Sequence, residues 1–320
     1  MALKVVRRSC GATEPRARRD GPAQEVGPAD FLCRAALARA RPRRPGPGTA
    51  ARLAGCAHGG RRDSEDFLRR LHDACTPTQF RRFADALKSY TTGVAWEVAG
   101  QDASVRTRLN DAVACRINAA GVVPTVTGLL ATHDLHVPDA EFHRPEVRAF
   151  TEAAGLLVAL HNDVFSYAKE QADDSGDVNL LDALRAETGC ELLEGAARLI
   201  GLTNRVTARA VHLRRTLAPT ASPDLRRYLD AGLDMAAGSI AFGRHCVRYR
   251  RGTSHTPLPP VTVTHERPAG TPSGPPGIPT IDWWWDDPEP AFRWSTFRRT
   301  ATPWPYLTEG DRWARPLRSR

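Results

Sequence analysis

Residues 144 to 171 constrain the fold of this chain more than any other stretch. Leu156, Leu157, Val158, Ala159 and Leu160 form an unbroken apolar run, and on a helix turning about 100° per residue five consecutive apolar positions leave no polar face. A helix of that kind is buried on every side, so other helices must surround it. The run leads directly into HNDVFSYAKEQADD, residues His161 to Asp174. Polar groups on a buried helix are costly unless they are partnered or used. Asn162, Ser166 and Glu170 fall at about 0°, 40° and 80° around the axis, with Lys169 at about −20°. One stripe thus offers an amide oxygen, a hydroxyl, a carboxylate and an ammonium. Oxygen donors suit a hard cation such as Mg²⁺, which keeps positions for water and phosphate oxygens, and the lysine suits phosphate directly. The competing reading is a solvated helix face, against which the apolar run stands.

The rest of the body has the same texture. SEDFLRRLHDAC places Phe67, Leu68, Leu71 and Cys75 on one helical face behind a serine and two acids, a helix-start pattern. In TPTQFRRFADALKSYTTGVAWEVAG, Phe80, Phe83, Leu87 and Tyr90 are in register between Pro77 and Gly100, residues that open and close helices. Helical periods recur at about 105–119, 144–171, 179–185, 188–217 and 223–248, and no stretch alternates as a strand does. The expected fold is all-α, a helical bundle. Three regions are expected: residues 1–62, an Arg/Pro/Gly-rich leader with no apolar period; residues 63–250, the helical domain; and residues 251–320, a Pro/Trp-rich tail. Ordering the leader would bury too little apolar surface to offset the entropy lost, so disorder is expected there. Within the tail, IDWWWDDPEPAF holds three of the seven tryptophans, and aromatic clusters of this kind serve most often as packing anchors.

Charge and cysteines narrow the function classes. The net charge is +9, but residues 1–62 carry 14 Lys and Arg against four acids, while the remainder carries 31 against 32. The excess lies in the leader, which has no aromatic interleaving and no recognisable nucleic-acid-binding module, so nucleic acid is not the expected partner. Seven cysteines stand singly, with no C-x-x-C pair, which indicates neither a zinc site nor a disulfide framework. No run approaches the roughly 18 apolar residues of a membrane span, and the N-terminus lacks a compact apolar signal core. The expectation is a cytoplasmic protein, monomeric or homodimeric.

NDVFSYAKE resembles the second metal-binding motif of bacterial class I terpene synthases, ND-x-x-S-x-x-x-E with a lysine before the glutamate. Two spacings extend the likeness. Arg116 lies 46 residues before Asn162, where that family keeps a diphosphate-sensing arginine, and Arg248 with Tyr249 begins 86 residues after it, where the family keeps an Arg-Tyr pair. The resemblance implies that Asn162, Ser166 and Glu170 hold one Mg²⁺ of three, that Arg116, Lys169 and Arg248 grip the diphosphate, and that Tyr249 adds a hydrogen bond. It further implies ionisation of a prenyl diphosphate, farnesyl first and geranyl next, followed by carbocation cyclisation in an apolar cavity of the sesquiterpene-synthase kind. Phe83, Trp96 and Phe242 are the aromatic candidates for that cavity, since aromatic faces stabilise cations, with ordinary core packing as the alternative for each and the first reading for Phe83 and Trp96.

The pattern also departs from the family. An aspartate-rich first motif would stand near Asp20, where the chain reads RARRDGPAQEVG; one aspartate does not replace a carboxylate cluster. DDSGD, Asp173 to Asp177, has the right letters but lies one turn beyond Glu170, and WDDPEP, Trp285 to Pro290, lies in the tail. The expectation is therefore an impaired cyclase or a leader that is not the authentic product. Two rival readings are a noncatalytic helical protein that binds prenyl diphosphates or an intact synthase, and a basic-arm nucleic-acid binder.

Overall fold

The computed structural model describes residues 2–5, 61–101, 108–173, 178–246, 249, 261–264 and 270–286. Met1–Asp286 form one compact unit, and the second unit, Asp287–Arg320, lies outside the described residues. So do Asp20, Arg248 and most of the leader.

Helices α1 (Arg61–Ala74) and α2 (Pro77–Gln101) open the helical body. Between them the Thr76 hydroxyl accepts from the Gln79 N–H at 3.3 Å, and the Gln79 amide oxygen accepts from the Thr76 N–H at 2.8 Å. With Pro77 in the first turn, T-P-T-Q is a capping box. The other end of the Gln79 amide donates to the Leu130 and Leu135 carbonyls at 3.1 and 2.9 Å. One buried glutamine therefore closes the start of α2 and the end of a neighbouring helix.

That neighbour, α4 (Val122–Thr132), follows α3 (Leu109–Ala119) after a break at Gly121. Gly121 has φ 68°, a left-handed conformation, and the Tyr90 ring stands 3.6 Å from where a Cβ would be. Periodicity assigned no helix to residues 120–143. The sequence of α4, VVPTVTGLLAT, is rich in β-branched residues and buried over most of its surface, so no polar stripe marks a period. Pro124 is tolerated because it falls in the first turn. The window Leu109–Thr132 is long and apolar enough to cross a membrane, but 67% of it is buried inside the fold.

After the short α5 (Asp139–Phe142) comes α6 (Pro145–Asp173), then α7 (Leu180–Thr188), α8 (Leu192–Leu217) and α9 (Pro223–His245). Helix α6 packs against α3, α4, α8 and α9. Phe150, Leu156, Leu157 and Leu160 are completely or almost completely buried, each such side chain contributing roughly 1.5–3 kcal/mol. The all-round apolar run therefore lies at the centre of a helical bundle.

Two features lie outside the helical pattern. β1 (Ala2–Val5) pairs antiparallel with β2 (Val261–Thr264), Ala2 opposite Thr264, which corrects the expectation of no strand. β-branched VTVT suits an extended chain, but a lone four-residue run gives no hint of a partner so distant in sequence. In the tail, α10 (Pro279–Asp282) and the 3₁₀ turn Trp283–Trp285 dock on the core. Trp284 is buried, its indole N–H donates to Glu152 Oε2 at 3.1 Å, and its carbonyl accepts from Arg209 Nε at 2.6 Å.

Two stability predictions follow from buried polar groups. Gln79→Ala removes the side-chain partner of the Leu135 carbonyl and of the Thr76 N–H and one of two donors to the Leu130 carbonyl, and is expected to cost about 1–3 kcal/mol in urea unfolding. His161 is buried beside Ser239, with Nδ1 2.7 Å from Oγ, and burial holds its imidazole down at about 4. The unfolded chain takes up that proton near the ordinary value of 6.5, so the stability linked to His161 is present above pH 6.5 and is lost as pH falls towards 4. Going from pH 7.5 to 5 should cost the parent about 2 kcal/mol more than His161→Asn, read as the difference between their urea midpoints at the two pH values.

Candidate metal and diphosphate site

The polar stripe occupies the C-terminal half of α6. Ser166 is buried, and its Oγ lies 2.7 Å from the Asn162 carbonyl and 2.6 Å from Glu170 Oε1. Asn162 is half-buried; its Oδ1 accepts from Arg116 NH2 at 3.3 Å, and its Nδ2 donates to the Tyr249 hydroxyl at 2.7 Å. Arginine has no acceptor, so the orientation of the Asn162 amide is fixed: its oxygen must face Arg116. The structure thus brings together Arg116, Asn162, Ser166, Glu170 and Tyr249, drawn from three separate parts of the chain.

Behind the stripe lies a residue that sequence reasoning missed. Asp163 is completely buried, its Oδ1 pairs with Arg116 NH2, and its Oδ2 accepts from the Leu180 N–H at 2.9 Å. Burial pushes the Asp163 carboxyl up to about 6, with Arg116 and the Leu180 N–H pulling the other way. Burial likewise opposes the charge on Arg116, but the Asp163 carboxylate, helped by Glu170 and Glu97, more than offsets this and raises the guanidinium above its ordinary value. Arg116 Nε is buried and has no hydrogen-bond partner among the described residues.

Asn179, also missed, completes the arrangement. It caps α7 by accepting from the Leu181 N–H at 2.9 Å, and it donates to Glu170 Oε2 at 2.8 Å and to the Asp163 carbonyl at 3.1 Å. An asparagine just before the apolar LLDAL is a legible N-cap; its second contact is not legible, because the intervening loop hides the distance to Glu170.

Other candidates lie elsewhere. Lys169 is half-buried on the same helix, and Arg248 is outside the described residues. Phe242 is 46% exposed and meets Tyr249 edge-on, the ring centroids 6.0 Å apart. Phe83 is buried against Phe67 between α1 and α2, in keeping with the packing alternative, and Trp96 is 47% exposed on α2. Asp174–Asp177 and Asp287–Pro290, which carry most of the two decoy motifs, are outside the described residues.

The donor set fits a hard divalent cation. Asn162, Ser166 and Glu170 offer one amide, one hydroxyl and one carboxylate oxygen from a single face. Among the described residues no group of three or more His, Cys, Asp and Glu side chains forms an alternative metal cluster.

The bundle is the class I terpene synthase fold. A protein from ancestral sequence reconstruction, SVS_A2, aligns at a TM-score of 0.59 and 29% identity over 84% of this chain and 74% of its own. The 2-methylisoborneol synthase of Streptomyces coelicolor A3(2), solved with Mg²⁺ and geranyl-S-thiolodiphosphate, shares the fold at a TM-score of 0.57 and 18% identity, covering 68% and 69% of the two chains. This chain belongs to terpene synthase family 2, whose model, described as "Terpene synthase family 2, C-terminal metal binding", matches residues 32–209. Phomopsene synthase of Allokutzneria albata is 34% identical over 69% of this chain and 61% of its own length. (+)-T-muurolol synthase ((2E,6E)-farnesyl diphosphate cyclizing) of Streptomyces clavuligerus is 29% identical over 70% and 54%, and diterpene cyclase DtcycB of a Streptomyces species is 30% identical over 69% and 63%. The chain spans about three fifths of the length of the first curated relatives it matches.

Removing Asp163 should be expensive. Asp163→Ala leaves the Arg116 guanidinium and the Leu180 N–H buried without their partner, and is expected to cost about 3–5 kcal/mol. The urea midpoint of the full chain measures it; a loss below 1 kcal/mol would show that the pair is not the tie described here.

Proposed function

We propose that the chain is a Mg²⁺-dependent terpene cyclase acting on a prenyl diphosphate. The observation that carries this reading is the convergence of Asn162, Ser166 and Glu170 with Arg116 and Tyr249. Mg²⁺ held by the three α6 residues would supply positive charge next to the departing diphosphate. Arg116, held charged by Asp163, meets the developing negative charge with N–H donors already oriented, and such donors need no reorganisation as the bond breaks. Tyr249 is held at the same place by Asn162, and Lys169, from the same helix, adds a cation. Arg248, next to Tyr249 in sequence, joins this set in the proposal. The apolar interior of the bundle excludes water from the carbocation, and Phe242, edge-on to Tyr249, is proposed to present its ring to the cation once substrate is bound.

Farnesyl diphosphate is the substrate put first, supported by the relative whose name specifies it; the relative named a diterpene cyclase makes the C20 prenyl diphosphate the comparison. Because no aspartate-rich motif stands near Asp20, binding is expected to be weak and ionisation slow. The test is incubation of the purified chain with each diphosphate, with and without Mg²⁺, following diphosphate release and volatile hydrocarbon together. Metal-dependent hydrocarbon supports the reading, and its absence from a folded chain overturns it in favour of a noncatalytic binder. Glu170→Gln is expected to abolish Mg²⁺-dependent diphosphate binding in calorimetry while leaving helix content unchanged.

A further inference from the structure

We infer that Asn179 is a positioning residue for the metal site, setting the orientation of the Glu170 carboxylate. The inference rests on the reading of Glu170 as a metal ligand. Asn179 is 4% exposed, and every hydrogen-bonding group of its amide is engaged: Oδ1 by the Leu181 N–H, and Nδ2 by Glu170 Oε2 and the Asp163 carbonyl. Oxygen and nitrogen of an asparagine amide are easily interchanged, but here they are not. The backbone N–H of Leu181 demands an acceptor, so Oδ1 must face α7, and Nδ2 is left to face the carboxylate.

The consequence lies at Glu170. Its two oxygens have separate neighbours: Oε1 lies 2.6 Å from the Ser166 hydroxyl, whose single proton is shared with the Asn162 carbonyl, and Oε2 accepts from Asn179 Nδ2 at 2.8 Å. Three side-chain torsions separate this carboxylate from the backbone, and an unpinned glutamate at a half-buried position samples several rotamers. The Asn179 bond to Oε2, with the Ser166 hydroxyl against Oε1, selects one of them before any cation arrives. Outer partners of this kind orient metal-binding carboxylates, and their loss typically weakens metal binding about 10–100-fold. The same asparagine also ties the site to α7: the cap fixes the start of that helix, while the neighbouring Leu180 N–H bonds Asp163. Asn179 thus spans Asp163, which orients the diphosphate-facing Arg116, and Glu170, which faces the cation.

Capping and positioning can be separated. Serine and aspartate cap helices about as well as asparagine, yet neither presents an N–H to Glu170, and aspartate places a second negative charge beside it. Asn179→Ser and Asn179→Asp are to be compared with the parent full chain by melting temperature and by calorimetric binding of inorganic diphosphate across a Mg²⁺ series. The expected result is a folded serine variant that still melts cooperatively and a rise of at least tenfold in the Mg²⁺ needed for half-maximal diphosphate binding in both, larger for aspartate. If the parent binds and both variants bind at the same Mg²⁺ concentration, the inference is overturned while the site reading stands. A parent that shows no Mg²⁺-dependent diphosphate binding overturns both. A shift in Mg²⁺ demand that follows the fall in melting temperature and is no larger for aspartate than for serine reduces Asn179 to a structural tie, and so also overturns the positioning role.

Discussion

The buried pair between Arg116 and Asp163 is the tie on which the candidate site depends. It crosses from α3 to α6 in a region where neither charge reaches water freely, and burying two charges is unfavourable unless the remaining donors and acceptors are also met. They are largely met here: Asp163 takes a second hydrogen bond from the Leu180 N–H, and Arg116 gives one to Asn162. Three helices are held in register by a single carboxylate. The orientation of the Asn162 amide follows from the pair, because only its oxygen can face the arginine, and Tyr249 in turn follows from Asn162. A salt bridge of this kind adds little net stability. What it sets is geometry, and a site for a multiply charged ligand needs geometry more than it needs another kilocalorie.

How much of this could be read from the chain depends on whether a residue stands out from its surroundings. Asn162, Ser166 and Glu170 were legible because they interrupt a helix that is otherwise apolar, and their four-residue spacing places them on one face. Asp163 lies in the same stretch but is not legible: it sits 100° from Asn162, and nothing in the sequence says that this direction meets Arg116. The spacing of Arg116 from Asn162 was noticed only through family resemblance, since 46 residues carry no geometric meaning without a fold. Helix α4 was illegible for the opposite reason. Buried on most sides and carrying Pro124 and Gly128, it has no polar stripe to set a period. The pairing of β1 with β2 lay further still out of reach, because a four-residue strand takes its identity from a partner that the local sequence does not name.

The choice of donors also has an electrostatic logic. A site that must hold a cation and accept a diphosphate beside it cannot simply collect carboxylates, because each one that favours the metal repels the anion. On α6 this conflict is reduced by making two of the three oxygen donors neutral and leaving Glu170 as the one charged ligand candidate. Asp163, which would otherwise add a second negative charge within a residue of Asn162, is paired with Arg116. In the proposed site the donors set against a diphosphate are then the guanidinium of Arg116, the hydroxyl of Tyr249 and the ammonium of Lys169. Asn179 fits the same scheme, because it holds Glu170 with a neutral amide. A lysine or arginine there would hold the carboxylate more strongly, but it would also compete with the cation for the same oxygens.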